Sequence, residues 1–398
     1  MDLIGWVIFL VALLFSVMLH ETGHFVLAKK FGMKCTRYFV GFGPTIWSTQ
    51  RGETEYGIKA LPLGGFVKII GMHSLDDVDD PADEPRSFRH QPGWQRILVL
   101  CAGSFMHFVL AFLLIFGLAV GIGIGNDNTT QLGTVSTCVA ANTTQLNNGT
   151  CTASDQPSPA KLAGLKTGDT VTAFDGKPVS NWTQLGNAIR QAPAGSAAAI
   201  TVKRGGRTLT LHATLASVSG RSGAYLGIAP SVVFQTAGPV RAVQYAGTAF
   251  GQVVVGSVKA VGALPAALPK LFSKDRGNTA AGQVSSVVGA AEATGTEVAS
   301  NRGWQFKVSF VLLLIASLNI FVGAFNMLPL LPLDGGHVAV VAWERIRARF
   351  ARLRKRPDPG LVDMAKLLPV SFSIFMVLMF FGIVLVLADI VNPVNIAG

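Results

Sequence analysis

Charged residues are scarce in this chain, and four long stretches contain almost none. Of its 398 residues, 14% are Asp, Glu, Lys or Arg, whereas 50% are hydrophobic. Each stretch is long enough to cross a hydrocarbon core of about 30 Å, which requires roughly 20 apolar residues. An assembly of soluble domains alone is excluded, and the sequence predicts a multipass membrane protein. The predicted spans are approximately Leu3–Ala28, Ile97–Gly125, Val308–Leu333 and Leu367–Ala388.

The basic residues that give the chain its net charge of +11 lie mainly in two short loops. Residues 28–96 carry ten Lys and Arg and residues 340–368 carry eight, whereas the 180 residues from 125 to 304 carry fourteen. Because short basic loops stay in the cytoplasm, we expect these two loops to face inward and both termini and residues 125–304 to face outward. This distribution favours contact with lipid headgroups and argues against nucleic acid as a partner.

A basic segment is also missing ahead of the first apolar stretch, which Asp2 precedes. A secretory signal peptide normally begins with such a segment. We therefore expect the first stretch to be a retained membrane span.

Cysteine is scarce as well, and no cysteine spacing is typical of a zinc ribbon or a thioredoxin-like site. Of the four cysteines, Cys35 and Cys101 lie on the predicted inner side or within the membrane. Cys138 and Cys151 lie thirteen residues apart in a polar, outward-facing stretch. An oxidising compartment would allow these two to form a disulfide, and two free thiols are the alternative.

The loop after the first span is too apolar for an ordinary exposed loop, and glycines divide it into short segments. Such segments indicate strands beside the membrane surface. Their edge could pair with an extended peptide by β-addition, and a packed amphipathic loop is the alternative. The predicted strands are Cys35–Val40, Ile46–Thr49, Glu55–Ala60 and Phe66–Ile70.

Residues 132–215 alternate in a way that predicts a soluble α+β domain. The run S-P-A-K-L-A-G-L-K-T-G-D-T-V from Ser158, followed by F-D-G-K-P-V from Phe174, resembles a PDZ domain of the type found in bacterial proteases. PDZ domains capture extended peptides at a sheet edge. The resemblance implies a binding loop near Gln131–Val135 that includes Gly133, and a spacer domain without a ligand is the alternative. The predicted strands are Gly133–Val135, Thr170–Phe174, Ala198–Val202 and Thr208–Ala213, and the predicted helices are Ser158–Ala163 and Trp182–Gln191.

The first span contains the motif H-E-T-G-H, formed by His20, Glu21 and His24. At helical spacing the two histidines lie one turn apart on the same side, where their imidazoles can bind one zinc ion. Glu21 can then take a proton from the attacking water. Ionisable groups in a membrane are costly and usually functional, so this motif in an apolar span indicates hydrolysis of peptides within the bilayer.

A hydrolytic zinc site needs a third protein ligand, which we assign to Asp334. This residue follows the third span directly, on the same predicted side as His24, and Pro329 and Pro332 break the helix before it. His337 is the chemical competitor, and an N-cap for the following helix is the alternative role of Asp334.

Residues 240–272 are apolar enough to resemble a fifth span, but they contain Lys259 and many Gly and Ala. An extra crossing would reverse the third span and separate Asp334 from His24 by the thickness of the membrane. We therefore predict amphipathic helical structure on the outer surface.

Together, H-E-x-x-H in the first span, the run from Asn326 to Gly336 (N-M-L-P-L-L-P-L-D-G-G) and the PDZ-like domain resemble the bacterial site-2 proteases. The resemblance covers essentially the whole chain. It implies a polytopic α-helical membrane protein of the bacterial cytoplasmic (inner) membrane, with four transmembrane helices, a membrane-associated β-rich loop and an extracytoplasmic α+β PDZ-like domain. The expected regions are 1–125 with the first two spans, 126–225 with the PDZ-like domain, 226–305 with amphipathic helices, and 306–398 with the last two spans.

The resemblance further implies a zinc-dependent intramembrane endopeptidase that acts in regulated intramembrane proteolysis. Its substrates would be single-pass membrane proteins, typically anti-sigma factors that another protease has already shortened. His20, His24 and Asp334 would bind Zn²⁺ and Glu21 would be the general base. Asn326, and Asn319 one heptad earlier, would contact the substrate or line the site.

One position departs from the family pattern. Relatives often carry Asn at the end of a G-x-x-x-N stretch in the second span, whereas here Gly103 is followed by His107. His107 could form hydrogen bonds near the site or be an ordinary buried histidine.

Two rival functions remain open from the sequence. A metal transporter would also place His and Asp in spans, but it would need a polar path that the second and fourth spans scarcely offer. A catalytically inactive membrane PDZ scaffold would be expected to have lost Glu21.

Overall fold

A computed structural model describes residues 3–72, 80–141, 151–152, 154–220, 222–273, 276, 285–300 and 302–392. The chain divides into two compact units. The membrane unit comprises Met1–Leu118 and Gly238–Ala397, and the α+β unit comprises Ala119–Ala237.

Four helical segments in the described part of the chain are long and apolar enough to cross a membrane. They are α1 (Leu3–Lys30), α2 (Gly93–Gly121), α7 (Trp304–Asn326) and α9 (Leu368–Val391), the last preceded by a 3₁₀ turn at Met364–Leu367. The prediction of four helices that are long and apolar enough to cross a membrane is confirmed. The third span is shorter than predicted and ends at Asn326, before the two prolines of the following turn. The predicted outward and inward orientations stay predictions.

Three further helices complete the membrane unit: α5 (Pro239–Leu271), α6 (Val287–Ala299) and α8 (Asp334–Leu353). At 1.5 Å per residue, the 33-residue α5 is about 50 Å long. Its residue Ala246 is fully buried in a cluster with Ala111 and Ile115 of α2 and Ala316 and Ile320 of α7. The helix predicted on the outer surface is therefore packed, in its first half, against two of the apolar spans.

Small residues allow α6 to lie directly on α1. A Cβ placed on Gly5 of α1 would come within 2.4 Å of the Cα of Gly295 in α6. Beside this contact, Phe9 of α1 is buried with Ala290 and Ala291 of α6. The helix that carries the histidine motif is thus held along its first turns by close backbone packing.

The loop after α1 is one antiparallel hairpin of two long strands, β1 (Cys35–Arg51) and β2 (Thr54–Ile69). The prediction of strands is confirmed, but the division into four was wrong. Gly41 and Gly43, at φ +86° and +83°, lie where the register of the pairing shifts. The glycines therefore bend the strand as bulges do, and the strand continues past them. Two 3₁₀ turns, Pro81–Arg86 and Phe88–His90, lead from the hairpin towards α2.

The α+β unit has a four-stranded antiparallel sheet in the order β6-β5-β7-β8. Two smaller sheets pair β4 with β9 and β3 with β10. Two helices cover its core, and each begins at a side chain that accepts a backbone N–H, Ser158 from Lys161 and Asn181 from Gln184. The strands are β3 (Ile124–Asn126), β4 (Leu132–Val135), β5 (Thr170–Phe174), β6 (Lys177–Pro178), β7 (Ala197–Arg204), β8 (Arg207–Thr214), β9 (Ile228–Pro230) and β10 (Val233–Gln235), and the helices are α3 (Pro159–Leu162) and α4 (Trp182–Gln191).

The core of this unit is formed by the alternating apolar residues that predicted its strands. Val171 and Phe174 of β5, Ile200 and Val202 of β7 and Leu185 of α4 are all buried together. The predicted disulfide between Cys138 and Cys151 is present, and Cys35 and Cys101 are free.

Candidate metal centre

Helix α1 places His20 and His24 one turn apart, and the structure brings Asp334 to both of them. The Nε2 atoms of the two histidines are 3.1 Å apart. The Oδ2 atom of Asp334 lies 3.3 Å from Nε2 of His20 and 3.4 Å from Nε2 of His24. Among the described residues, this is the cluster of three or more His, Cys, Asp or Glu that could hold a metal ion.

Two glycines after Asp334 make this convergence possible. A Cβ on Gly335 would lie 2.4 Å from the carbonyl oxygen of Leu328, and one on Gly336 would lie 2.6 Å from the carbonyl carbon of Leu330. The turn after α7 therefore folds onto the first turn of α8, which only glycine permits at these two positions. This close packing fixes the start of α8, and with it Asp334, beside the histidines.

The geometry of the three atoms matches a zinc site. Tetrahedral zinc with bonds of about 2.0–2.1 Å to nitrogen and oxygen places its ligand atoms roughly 3.3 Å apart. The three separations of 3.1, 3.3 and 3.4 Å agree with that value. No hydrogen-bond donor within the described chain satisfies the buried Oδ2 of Asp334. A buried carboxylate oxygen without a donor is costly, and a bound cation would compensate for it.

Helix α2 runs antiparallel to α1 and contacts the motif turn by turn. The carbonyl oxygen of Val99 lies 2.7 Å from Nδ1 of His24, which can donate to it. One turn later, a Cβ on Gly103 would come within 2.4 Å of Nε2 of His24 and 2.7 Å of Nε2 of His20. After another turn, the ring of His107 lies 4.9 Å, centroid to centroid, from the ring of His20. Helix α2 thus forms one wall of the site.

The hairpin forms another wall and contacts Glu21. The backbone N–H of Val67 in β2 donates to Oε2 of Glu21 at 3.1 Å. Nearby, the hydroxyl of Tyr38 in β1 lies 2.9 Å from Oγ1 of Thr22 and donates to the carbonyl oxygen of Met18 at 3.2 Å. The strands predicted beside the membrane are therefore fastened to the helical turn that carries Glu21.

A buried polar cluster lies one turn before His20 and joins three spans; we call it the Ser16–His107–Asn319 cluster. Oδ1 of Asn319 is 2.8 Å from Nδ1 of His107 and also accepts from the hydroxyl of Ser16. The amide nitrogen of Asn319 donates to the carbonyl oxygen of Ile315 at 2.8 Å. Both ends of this 1% exposed amide bond to the protein, and the predicted contact of Asn319 with substrate stays a prediction.

The remaining predicted residues lie elsewhere. Asn326 is half-buried at the end of α7, and its role in substrate binding stays a prediction. His337, the chemical competitor of Asp334, is outside the three-residue cluster and lines a cavity of about 190 Å³ with Arg96 and Glu344.

Gly133 does not lie at the cavity of the α+β unit. Its strand is paired with β9, and a Cβ there would lie 2.6 Å from the carbonyl oxygen of Pro230. The cavity, of about 90 Å³, lies instead between α4 and residues 224–228. The predicted role of Gly133 and the loop Gln131–Val135 in peptide binding stays a prediction.

Ser16, Val67 and Val99 also contact the site but were not predicted from the sequence. Ser16 had a signal, because it lies four residues before His20 on the same helical face. Val67 and Val99 contribute backbone atoms, so their residue types do not predict these contacts.

The chain is similar to known proteins over most of its length. Residues 8–359 match the model of peptidase family M50. The chain is 36% identical over 408 residues to zinc metalloprotease Rip1 of Mycobacterium tuberculosis, covering 98% of each chain. It is 37% identical to zinc metalloprotease Rip1 of Mycolicibacterium smegmatis, covering 99% of this chain and 98% of that one. Zinc metalloprotease RasP of Shouchella clausii is 25% identical, over 84% of this chain and 90% of that one.

Among solved structures, the PDZ domain of the SdrC-like protein from Listeria monocytogenes aligns with 28% of this chain and 92% of its own, at 17% identity and a TM-score of 0.18. That similarity is too low to carry an argument. The family model and the full-length relatives, in contrast, cover nearly the whole sequence. The chain belongs to peptidase family M50, the site-2 proteases, and is a multipass zinc metalloprotease.

Proposed function

We propose that the protein hydrolyses peptide bonds in transmembrane segments of single-pass membrane proteins. In this proposal His20, His24 and Asp334 bind the zinc ion and Glu21 is the general base. The observation that carries it is the approach of three donor atoms from α1 and α8 to within 3.4 Å of one another, beside a carboxylate on the same helical turn.

The reaction divides between the metal and the protein. When bound, zinc supplies a Lewis acid and makes hydroxide available near neutral pH. Glu21 takes a proton from the attacking water and gives it to the amine that leaves. The Val67 N–H, which donates to Oε2 of Glu21, holds one carboxylate oxygen so that the other stays available for this transfer.

The substrate presents a separate problem, because the carbonyl groups of a membrane helix are bonded within the helix. The segment must unwind before its carbonyl can be attacked. Pairing with the β1–β2 hairpin would replace the lost backbone hydrogen bonds, and the amide of Asn326 at the end of α7 could contribute another. The hairpin suits this role because its attachment to Thr22 and Glu21 places its strands next to the metal centre.

The distribution of charge supports a position for the enzyme. Basic residues concentrate in 28–96 and in 340–368, so we infer that these face the cytoplasm and that the α+β unit is extracytoplasmic. In a bacterial inner membrane the substrates would then be single-pass proteins, such as anti-sigma factors, shortened on the outer side by another protease. The α+β unit would exclude substrates whose outer portion is still bulky.

The test uses Glu21→Gln, which removes the base but keeps the size of the side chain, and Asp334→Ala, which removes a ligand. Cleavage of a tagged single-pass substrate is followed in cells, and bound zinc is measured on the purified full-length protein. We expect E21Q to lose cleavage by about 10²–10⁴-fold while retaining zinc, because general-base catalysis contributes that much. D334A should lose both.

Two results would contradict the proposal. Equal substrate processing by wild type and E21Q would exclude Glu21 as the base and favour an inactive scaffold. Unchanged zinc content in D334A would place the metal elsewhere. The transporter alternative predicts that E21Q, with its ligands intact, alters zinc uptake in cells, whereas a protease predicts no change.

A further inference from the structure

The two histidines of the metal centre are not supported in the same way. Nδ1 of His24 has the carbonyl oxygen of Val99 at 2.7 Å. Nδ1 of His20 is buried and has no hydrogen-bond partner within the described chain. Histidines that bind metals usually donate their second ring nitrogen to a partner, which fixes the orientation of the ring. The ring of His20 therefore needs another source of orientation.

Packing against α2 supplies it at two positions. Gly103 lies against Nε2 and Cε1 of His20, so close that a Cβ would be 2.5 Å from Cε1. The tilted ring of His107 lies 4.9 Å from that of His20, with 41° between the ring planes. His20 is thus packed against the backbone of α2 at Gly103 and against the side chain that follows one turn later on the same face.

The orientation of His107 is in turn fixed by hydrogen bonds. Because the amide nitrogen of Asn319 donates to the carbonyl oxygen of Ile315, its Oδ1 faces the cluster. An amide oxygen only accepts, so Nδ1 of His107 is the donor in their 2.8 Å hydrogen bond. The hydroxyl of Ser16 donates to the same oxygen and lies 3.1 Å from Nδ1 of His107. These contacts select one ring tautomer and hold the ring at a set angle.

The three members are deeply buried: Ser16 and His107 are each 3% exposed and Asn319 is 1% exposed. They come from α1, α2 and α7, so the cluster also fixes how these helices meet at this depth. Buried polar groups in a membrane protein carry a desolvation cost. Such costly polar groups are usually functional, so we expect the hydrogen bonds of the cluster to support the adjacent metal centre.

We propose that the Ser16–His107–Asn319 cluster positions His20 for metal binding, with His107 acting through its ring and the other two residues setting the angle of that ring. The proposal rests on the assignment of His20, His24 and Asp334 as zinc ligands. His107 is a positioning residue here, because it contacts a ligand and not the metal.

The test measures metal binding by purified full-length protein in detergent, independently of activity. Zinc affinity is determined by competition with a chelator, and the visible spectrum of the Co²⁺-substituted protein reports the geometry around the metal. We expect His107→Leu and Asn319→Leu each to weaken zinc binding by about 10–100-fold, the range typical of lost support for a metal ligand. Both should alter the Co²⁺ spectrum. The double variant should be little worse than H107L alone, because the two side chains act through one path.

Two buried serines provide a matched control that is mild enough to preserve the fold. Ser16 belongs to the cluster, whereas Ser104 of α2 is 1% exposed and its hydroxyl has no hydrogen-bond partner within the described chain. We expect Ser16→Ala to weaken zinc binding and to change the Co²⁺ spectrum. Ser104→Ala should leave both as in the wild type.

The outcomes separate this proposal from the assignment of the ligands. If D334A loses zinc while H107L, N319L and S16A bind it with wild-type affinity and an unchanged Co²⁺ spectrum, the cluster has a structural role only and the proposal is wrong. Lower thermal stability of these variants would not rescue it. If D334A itself binds zinc like the wild type, the ligand assignment is wrong instead.

Discussion

At the scale of single residues, Gly103 is packed directly against the imidazole rings of the metal centre. A Cβ at this position would be 2.4 Å from Nε2 of His24 and 2.7 Å from Nε2 of His20, which are the atoms that would bind zinc. Real side chains do not approach so closely. We expect Gly103→Ala to displace one or both rings, to lower zinc affinity by at least tenfold and to abolish cleavage. Zinc content and substrate processing are measured on the same preparation.

Gly117 of the same helix provides the control, because a Cβ there would have no heavy atom within 4 Å. Since alanine favours a helix over glycine by about 1 kcal/mol, Gly117→Ala should be neutral or slightly stabilising and retain zinc. Equal zinc binding by both variants would show that α2 can move away from the histidines and accept a side chain at position 103, and would contradict the prediction.

Asn326 tests the second function that we propose for the site, which is to hold substrate. It closes α7 eight residues before Asp334 and is half-buried. We expect Asn326→Ala to leave zinc affinity unchanged and to reduce cleavage about 5–10-fold, the loss that one hydrogen bond of about 1 kcal/mol or slightly more would cause. A drop in zinc content would instead assign Asn326 to support of the metal centre.

What the sequence reveals at this scale depends on whether a residue acts through its side chain. His20 and His24 were predicted because two imidazoles one helical turn apart have few other uses in an apolar span. Asp334 was predicted because a third ligand is needed and this residue directly follows the third span. Val67 and Val99 act through backbone atoms, and their positions depend on how β2 and α2 meet α1. Asn319 shares a residue type with Asn326, and only the structure shows that their surroundings differ.

At the scale of elements, the β1–β2 hairpin is attached to α1 by side-chain hydrogen bonds. Tyr38 makes two hydroxyl contacts with α1, to Thr22 and to the carbonyl oxygen of Met18. Tyr56 packs beside it, with ring centroids 5.9 Å apart, but its hydroxyl has no hydrogen bond within the described chain. Tyr38→Phe should cost about 1 kcal/mol of docking and reduce cleavage about fivefold, whereas Tyr56→Phe should have no effect.

Cleavage of the tagged substrate and zinc content are compared for the two variants. Both should retain zinc, because neither tyrosine is a ligand. Equal activity of Y38F and Y56F would show that the hairpin is held by its other contacts, such as the one between Val67 and Glu21.

In the same hairpin, the glycines led to the wrong prediction of four short strands. Glycine usually interrupts a strand, and Gly41, Gly43, Gly64 and Gly65 predicted four short strands. In the structure, pairing runs from Cys35 and Ile69 to Arg51 and Thr54 through shifts in register. Whether a glycine ends a strand or forms a bulge depends on the partner strand, which a local pattern does not contain. In the α+β unit, β7 alternates between buried and more exposed residues and was predicted directly, whereas the short strands β3, β6, β9 and β10 were not predicted.

At the scale of the whole molecule, charge and the disulfide point to the same arrangement. The disulfide between Cys138 and Cys151 lies in the α+β unit, and disulfides persist in oxidising compartments. The basic cluster from Arg345 to Arg356 lies on α8 and the turn after it, and basic loops stay in the cytoplasm. From these two observations we predict that the α+β unit lies outside and that the start of α8, with Asp334, lies towards the inner side.

Labelling of single cysteines tests this arrangement. Lys177 of the α+β unit and Arg354 at the end of α8 are both exposed, so a cysteine at either position should react freely with a maleimide. Cys101 is changed to Ala in every variant, Cys35 is buried, and the disulfide removes the other two thiols from reaction. With a maleimide that cannot cross membranes, intact cells or spheroplasts should label Lys177→Cys at once and Arg354→Cys only after permeabilisation. The reverse pattern would place the metal centre near the outer face, and substrates would then have to be cut at the other end of their membrane segment.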